Sequence, residues 1–231
     1  MSKIAQAFAR GKAFIPFITC GDPDLETTAA AVRAAVENGA DLIELGIPFS
    51  DPTAEGPVIQ GANLRALQGG VTTDRIFGLV RDLRRDVTIP LVFMTYANVV
   101  FSYGAERFLP VCRQYGVELI SLIAPTSKDR IAMIAREAEG FLYVVSSLGV
   151  TGARSEIKTD LASMMETVRQ NTHIPAAIGF GISTPEQARR MAELSDGVIV
   201  GSAIVKLLEQ HGKTAPDYIG AYVKTMKDAI Q

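Results

Sequence analysis

The chain has 231 residues, 48% of them hydrophobic, and 23 Lys and Arg against 25 Asp and Glu give a net charge of −2. That length holds one large α/β domain or two small ones with a substantial core, and the near-neutral balance offers no basic face for nucleic acid. Cys20 and Cys112 are too few for a disulfide framework, and neither they nor His173 and His211 have metal-ligand spacing, so no metal site is expected.

The N-terminus, MSKIAQAFARGKAF, lacks the long apolar core of a secretory signal. The apolar runs are far shorter than a membrane span, so a cytoplasmic protein without a membrane contact is expected. In chain order the strand-like runs are 14–20, 42–47, 90–96, 118–124, 141–146, 176–182 and 197–201. Their Leu, Ile and Val content is that of parallel strands covered on both faces. Amphipathic stretches lie between them, such as LETTAAAVRAAVENG and TPEQARRMAELS. The second opens Ser183-Thr184-Pro185-Glu186, a capping hydroxyl followed by Pro in the first turn. One phrase recurs: a helix end, then Gly or an acid, then a short apolar strand, as in ENGADLIELGIP, QYGVELISLIAP, EAEGFLYVVSS and ELSDGVIVGSA. Gly in that place supplies the left-handed helix cap.

Repeated strand–helix units predict a parallel sheet. Neither the dinucleotide fingerprint nor the P-loop is present, and no linker divides the chain. A single (β/α) barrel over residues 1–231 is the expected fold, of the TIM type, with an open doubly wound sheet as the alternative. Barrels build their sites on the loops at the C-terminal strand ends.

One such end reads ELGIPFSDPTAEGP, residues 44–57. Side chains alternate across a strand. If Ile43, Leu45 and Ile47 face the helices, then Leu42, Glu44 and Gly46 face the lumen. A carboxyl there has a raised pKa and can give and take a proton near neutral pH; the other reading is a Glu that pairs with a Lys or faces solvent. In the loop, Asp51 reads first as a turn acid. Glu55, between small residues, can project over the mouth and hold a polar N–H of a substrate. At the far end, IGFGIS (178–183) and VGSAIV (200–205) are strand ends followed by helix starts. Their Gly181, Gly201 and Ser202 are phosphate candidates, because backbone N–H groups at the last two barrel strands commonly bind that anion. SLGVTGAR (147–154) is a Gly-rich loop able to close over a ligand.

The segments ELGIPFSDPTAEGPVIQGANLRAL, FIPFITCGDPD, MTYANVVFSYG, LIAPTS, SSLGVTGAR, GFGISTPEQA and VIVGSAIVK together resemble the tryptophan synthase alpha chain family along nearly the whole chain. The resemblance implies an eight-stranded (β/α) barrel that cleaves indole-3-glycerol phosphate to indole and glyceraldehyde 3-phosphate. It implies no cofactor in this chain, and a beta chain partner in an α2β2 tetramer, which carries pyridoxal phosphate and receives indole through a tunnel. It makes Glu44 the general acid/base and Glu55 the second catalytic acid, a position that is often Asp in the family. Phe17 and Tyr96 become indole-pocket residues. Gly152, Gly181, Gly201 and Ser202 become loop and phosphate positions, Thr151 the loop residue that orders the second acid, and Asp51 and Pro52 part of the loop facing the beta chain.

The chain also departs from that pattern. It has seven strand runs where the family has eight, and AERFLPVCRQYG joins MTYANVV directly to ELISLIAP. One strand–helix unit is missing, and Pro110 falls where it would sit inside a helix spliced from pieces of two. New pairing between runs 90–96 and 118–124 is expected, with a helix bent or broken at Pro110. Three functions compete: a working lyase subunit, a regulatory or binding subunit for the beta chain, and another phosphate-binding barrel enzyme.

Overall fold

The computed structural model describes residues 3–118, 120–145, 160–179 and 181–231. Its parallel strands are β1 (Ala13–Thr19), β2 (Ile43–Gly46), β3 (Leu91–Met94), β4 (Ser121–Ile123), β5 (Leu142–Val145), β6 (Ala176–Gly179) and β7 (Gly197–Val200). Every expected run forms a strand, each a residue or more shorter than its apolar stretch except β1, which starts one residue earlier. The helices are α1 (Lys3–Phe8), α2 (Leu25–Glu37), α3 (Pro57–Gln68), α4 (Thr73–Leu83), α5 (Ala97–Tyr103), α6 (Ala105–Gln114), α7 (Lys128–Glu137), α8 (Leu161–Asn171), α9 (Pro185–Leu194), α10 (Ser202–His211) and α11 (Ala215–Ala229). None among the described residues is long and apolar enough to cross a membrane.

Local chemistry sets the element ends. Asp24 caps α2 by accepting from the Thr27 N–H at 2.7 Å. Thr184 and Gln187 form a reciprocal capping box on α9, with Pro185 in its first turn. Three of the recurring glycines, Gly39, Gly116 and Gly140, take the left-handed conformation expected before a strand. Gly197 does not. It begins β7, where a β-carbon would lie 2.7 Å from the Ala13 carbonyl, so glycine is needed there for close strand approach.

The sheet alternates as expected on β2. Ile43, Leu45 and Ile47 pack outward with Val32, Ala35, Ile76, Val80 and Leu83 of α2 and α4. Leu42 faces inward with Ala13, Ile15, Val92, Tyr143, Ala177 and Ile199. Ile4 and Ala7 of α1 join this inner cluster from below. At the same end Lys227 of α11 sends its Nζ to the Asp41 carboxylate at 2.7 Å and to the Lys12 carbonyl at 2.8 Å. Asp41 in turn accepts from the Phe14 N–H. This largely buried ion pair ties the last helix to the starts of β1 and β2; removing one partner of such a pair costs about 3–5 kcal/mol.

The strand order is β3-β2-β1-β7-β6-β5-β4. The sheet curls as a barrel does, but β3 and β4 are its two ends. Among the described residues the only pairing across that side is an isolated parallel bridge from Leu91 of β3 to Val117, four residues before β4. The expected new pairing of 90–96 with 118–124 is therefore not a ladder. Seven strands cannot keep the tilt and stagger of eight, and the missing strand leaves an open side. The junction is held on the outside instead. Phe77, Phe93, Tyr103 and Phe108 cluster with ring centroids 5.2–6.2 Å apart. Arg84 donates to the carbonyls of Ile89, Tyr115 and Gly116 and so staples α4 to the end of α6.

Of the bend or break expected at Pro110, the break does not occur. The helix runs continuously from Ala105 to Gln114 with Pro110 inside it. The proline ring removes the bond that an N–H at 110 would give to the Glu106 carbonyl. Phe108 and Cys112, one turn apart and both buried, hold the helix down on either side. Pro110→Ala restores that bond and is expected to stabilise the fold by about 2 kcal/mol, after allowing for the freer unfolded chain. A thermal melt should show a rise of roughly 4–8 °C for a chain of this size.

Candidate active site

Glu44 sits in the middle of β2, in register with Phe17 of β1 and Val92 of β3. Pairing on both sides turns its side chain into the lumen. It is 2% exposed, and its Oε2 has no hydrogen-bond partner among the described residues. It does not face solvent, and no described lysine pairs with it. Burial pushes its pKa from 4.5 to about 8, because an apolar surround penalises the charged form. At neutral pH this carboxyl is mostly protonated, and it can lose that proton within the physiological range.

Two glycines make room around it. A β-carbon on Gly46 would lie 2.5 Å from the Phe17 ring, so the absence of a side chain lets Phe17 lie across the mouth of β2. Phe17 packs with Ile59, Ala62 and Val205, an apolar wall from α3 and α10. On the opposite side, a β-carbon on Gly179 would stand 2.6 Å from the Tyr143 hydroxyl. Tyr143 is buried on the inner face of β5, and both burial and the Glu44 charge push its pKa well up. Thr19, at the end of β1, has a fully buried hydroxyl without a protein partner.

Glu55 and Tyr96 come together in the loop above. The Tyr96 hydroxyl donates to Glu55 Oε2 and accepts the N–H groups of Thr53 and Ala54, both at 2.9 Å. That uses the full hydrogen-bonding capacity of a phenol, so Tyr96 fastens the loop and holds its acid. Its ring lies 4.9 Å from that of Phe49. Partial burial and then the bond to Glu55 raise its pKa. Asp51 is exposed and bonded to the neighbouring Ser50 hydroxyl, and Pro52 is half-buried beside it.

Gly181 follows β6 with φ +82°, a turn only glycine adopts without strain. Gly201 and Ser202 begin α10 at the end of the neighbouring strand β7, and no side chain caps that helix start. The Ile204 and Val205 N–H groups bond to the Gly201 carbonyl, which leaves those of Ser202 and Ala203 without a partner in the helix, at the end of β7. Thr151 and Gly152 lie outside the described residues. Tyr143 and Thr19 were not singled out from sequence. Alternation along β5 (Phe141, Tyr143, Val145) and β1 (Phe17, Thr19) was the signal that could have found both.

The pKa of Glu44 has a consequence for stability. Between pH 4.5 and about 8 the folded protein holds this proton and the unfolded chain has released it. Stability therefore falls as pH rises through that window, by about 1.4 kcal/mol per pH unit at most. Glu44→Gln abolishes this slope. In denaturant titrations the variant should gain stability over the parent progressively above pH 4.5, with the gain levelling off above about pH 8.

The family profile described as tryptophan synthase alpha chain matches residues 4–118 and 109–231. The two blocks overlap at 109–118, the stretch that carries Pro110. The tryptophan synthase alpha chain of Lacticaseibacillus casei is 46% identical over 255 aligned positions, covering 100% of this chain and 96% of that one. With 231 residues here, at least 24 of those positions are empty on this side, about one strand–helix unit. The protein of the same description from Lactiplantibacillus plantarum is also 46% identical, with 100% and 97% covered. Among solved structures, tryptophan synthase subunit alpha from Legionella pneumophila superposes with a TM-score of 0.83 at 32% identity, covering 100% and 98%. A Pyrococcus furiosus chain, from a structure described as the tryptophan synthase a2b2 complex, gives 0.84 at 33%, covering 94% and 98%. With matches along its whole length in sequence and in fold, the chain belongs to the tryptophan synthase alpha chain family, a family of lyases.

Proposed function

We propose that this chain cleaves indole-3-glycerol phosphate to indole and glyceraldehyde 3-phosphate, with Glu44 as the acid and base. The observation that carries the reading is a buried lumen carboxyl, titrating near neutrality, whose Oε2 has no hydrogen-bond partner among the described residues. The bond to be broken joins indole C3 to the side chain. A proton delivered to C3 turns the ring into an electron-accepting leaving group. Removal of the proton from the side-chain hydroxyl lets the carbon–carbon bond collapse to an aldehyde. A protonated Glu44 gives the first proton and, as carboxylate, takes the second. Glu55, held by Tyr96, meets the ring N–H as it becomes positive, which stabilises the transition state electrostatically. Phe17 lines the ring site, and Gly181, Gly201 and Ser202 hold the phosphate. Thr151 and Gly152 are assigned to this site by the family pattern alone.

A beta chain is the proposed partner, supported by the Pyrococcus furiosus relative described as part of an a2b2 complex, and the exposed Asp51 with Pro52 is the surface offered to it. Pyridoxal phosphate belongs to that partner, and no residue here is assigned to it. A cytoplasmic location goes with such biosynthetic work. A second reading, a binding subunit with little chemistry of its own, is favoured by the open side between β3 and β4. Indole release measured with and without a beta chain separates the two.

Glu44→Gln keeps the shape and loses the proton chemistry. Turnover of indole-3-glycerol phosphate by the variant should drop about 100- to 10,000-fold; full turnover would remove the acid/base role. Gly201→Asp brings bulk and like charge to the rim. Calorimetry with glycerol phosphate should show affinity weakened at least about tenfold, or 1.4 kcal/mol, and unchanged affinity would move the phosphate site elsewhere.

A further inference from the structure

The lumen is not sealed all the way round. Leu122 of β4 is paired in register with Tyr143 of β5, so both side chains stand on the inner face of the sheet. Tyr143 is 7% exposed, whereas Leu122 is 41% exposed. Its neighbour Ile123, on the helix side of the same strand, is fully buried with Ile131 and Ala135 of α7. The exposure of Leu122 is therefore on the lumen side. Across the gap, Val92 of β3 faces inward in register with Glu44, and half-buried Met94 follows it. The two edges touch at the bottom, where Leu91 bridges Val117. Just above, Met94 and Ile120 both pack on the inner cluster. Among the described residues, the gap is thus bridged below and has no strand pairing toward the strand ends that carry the candidate site.

We propose that the seam between β3 and β4 is a lateral mouth of the lumen, edged by Leu122 and Met94, that passes a flat, uncharged aromatic of the indole class. This rests on the reading of the lumen as an aromatic site. The edge residues are apolar, and the buried wall behind them leads through Tyr143 to the surroundings of Glu44, whose charge Tyr143 feels. A neutral ring crosses such an edge at little desolvation cost, while a phosphorylated chain would have to shed the hydration of its charge. The mouth sorts the molecules by charge: the freed ring can leave sideways into solvent, and the phosphate-bearing substrate and triose keep to the rim at β6 and β7.

Thiol labelling tests this. Cys20 and Cys112 are buried, and burial pushes both thiols up, so the parent chain reacts slowly. Leu122→Cys puts a thiol at the proposed mouth, and Leu194→Cys puts one at a comparably exposed site on α9, 39% exposed in the parent residue. Both positions are already exposed, so neither substitution empties a core site. Each variant is treated with N-ethylmaleimide, with and without indole. At ten times its dissociation constant, indole should slow labelling of the first variant about tenfold by simple occupancy, and leave the second unchanged. No labelling of the first variant, or labelling that indole does not slow, would overturn the mouth. The readout needs no turnover. Protection in a chain that fails to cleave substrate would keep the mouth and remove the lyase reading; cleavage without protection would do the reverse.

Discussion

Everything in the candidate site depends on the register of β2. A strand one residue out of step presents its other face. In β2 such a slip would carry Glu44 into the helix layer and drive Ile43 or Leu45 into the lumen. Two ladders prevent it: Glu44 is level with Phe17 on one side and Val92 on the other. The outer face adds its own weight, because Ile43 and Leu45 are fully buried against α2 and α4. Each such side chain contributes about 1.5–3 kcal/mol by leaving water. Ordinary apolar packing on one face thereby forces a buried carboxyl onto the other, and the raised pKa follows from that burial. The acid is a destabilised element held in place by its neighbours, a recurrent feature of sites that move protons.

The loss of a strand–helix unit left this arrangement intact because the unit was lost on the side away from β2. β2 keeps both partners, and β1 keeps β2 and β7. The double match at residues 109–118 explains how the chain tolerates the splice. The units leading into β2, β4 and β5 end alike, in a helix and a left-handed glycine before the strand, so the end of one helix serves in place of another. Gly116, at φ +64°, performs that service here. The outer aromatic cluster and the Arg84 staples close the splice from the helix side. They cannot restore the wall of the lumen, where no inward side chain stands between Met94 and Leu122 among the described residues.

Much of this was legible in the sequence. Seven strands show as apolar runs because parallel strands are buried on both faces, and the start of α9 shows in Thr184 and Pro185. Alternation alone placed Glu44 in the lumen. What escaped was of another kind. The bonding of Tyr96 to Glu55 depends on how a proline-rich loop folds back over a strand end some 40 residues later, and no periodicity encodes that. The unbroken α6 shows tertiary packing of Phe108 and Cys112 overriding the cost of a proline. The missing ladder between β3 and β4 reflects curvature of the whole sheet, which a strand's own residues do not specify. The glycine before β7 looked like a helix cap, and its role is close contact with Ala13 across the first and last strands.

That contact between first and last strands bears on how the chain could be cut. The last helix meets the start of the first strand at the bottom of the sheet, where Lys227 reaches the Lys12 carbonyl and Asp41. The strand ladders run unbroken from β3 through β1 and β7 to β4, and the open side lies between residues 94 and 121. A circularly permuted chain, with the old ends joined by a short linker and new ends opened near Gly116, would sever no strand ladder. Its strands would run in unbroken spatial order from β4 at one edge of the sheet to β3 at the other, and the connection across the seam, the only one that does not follow a paired neighbour, would be gone.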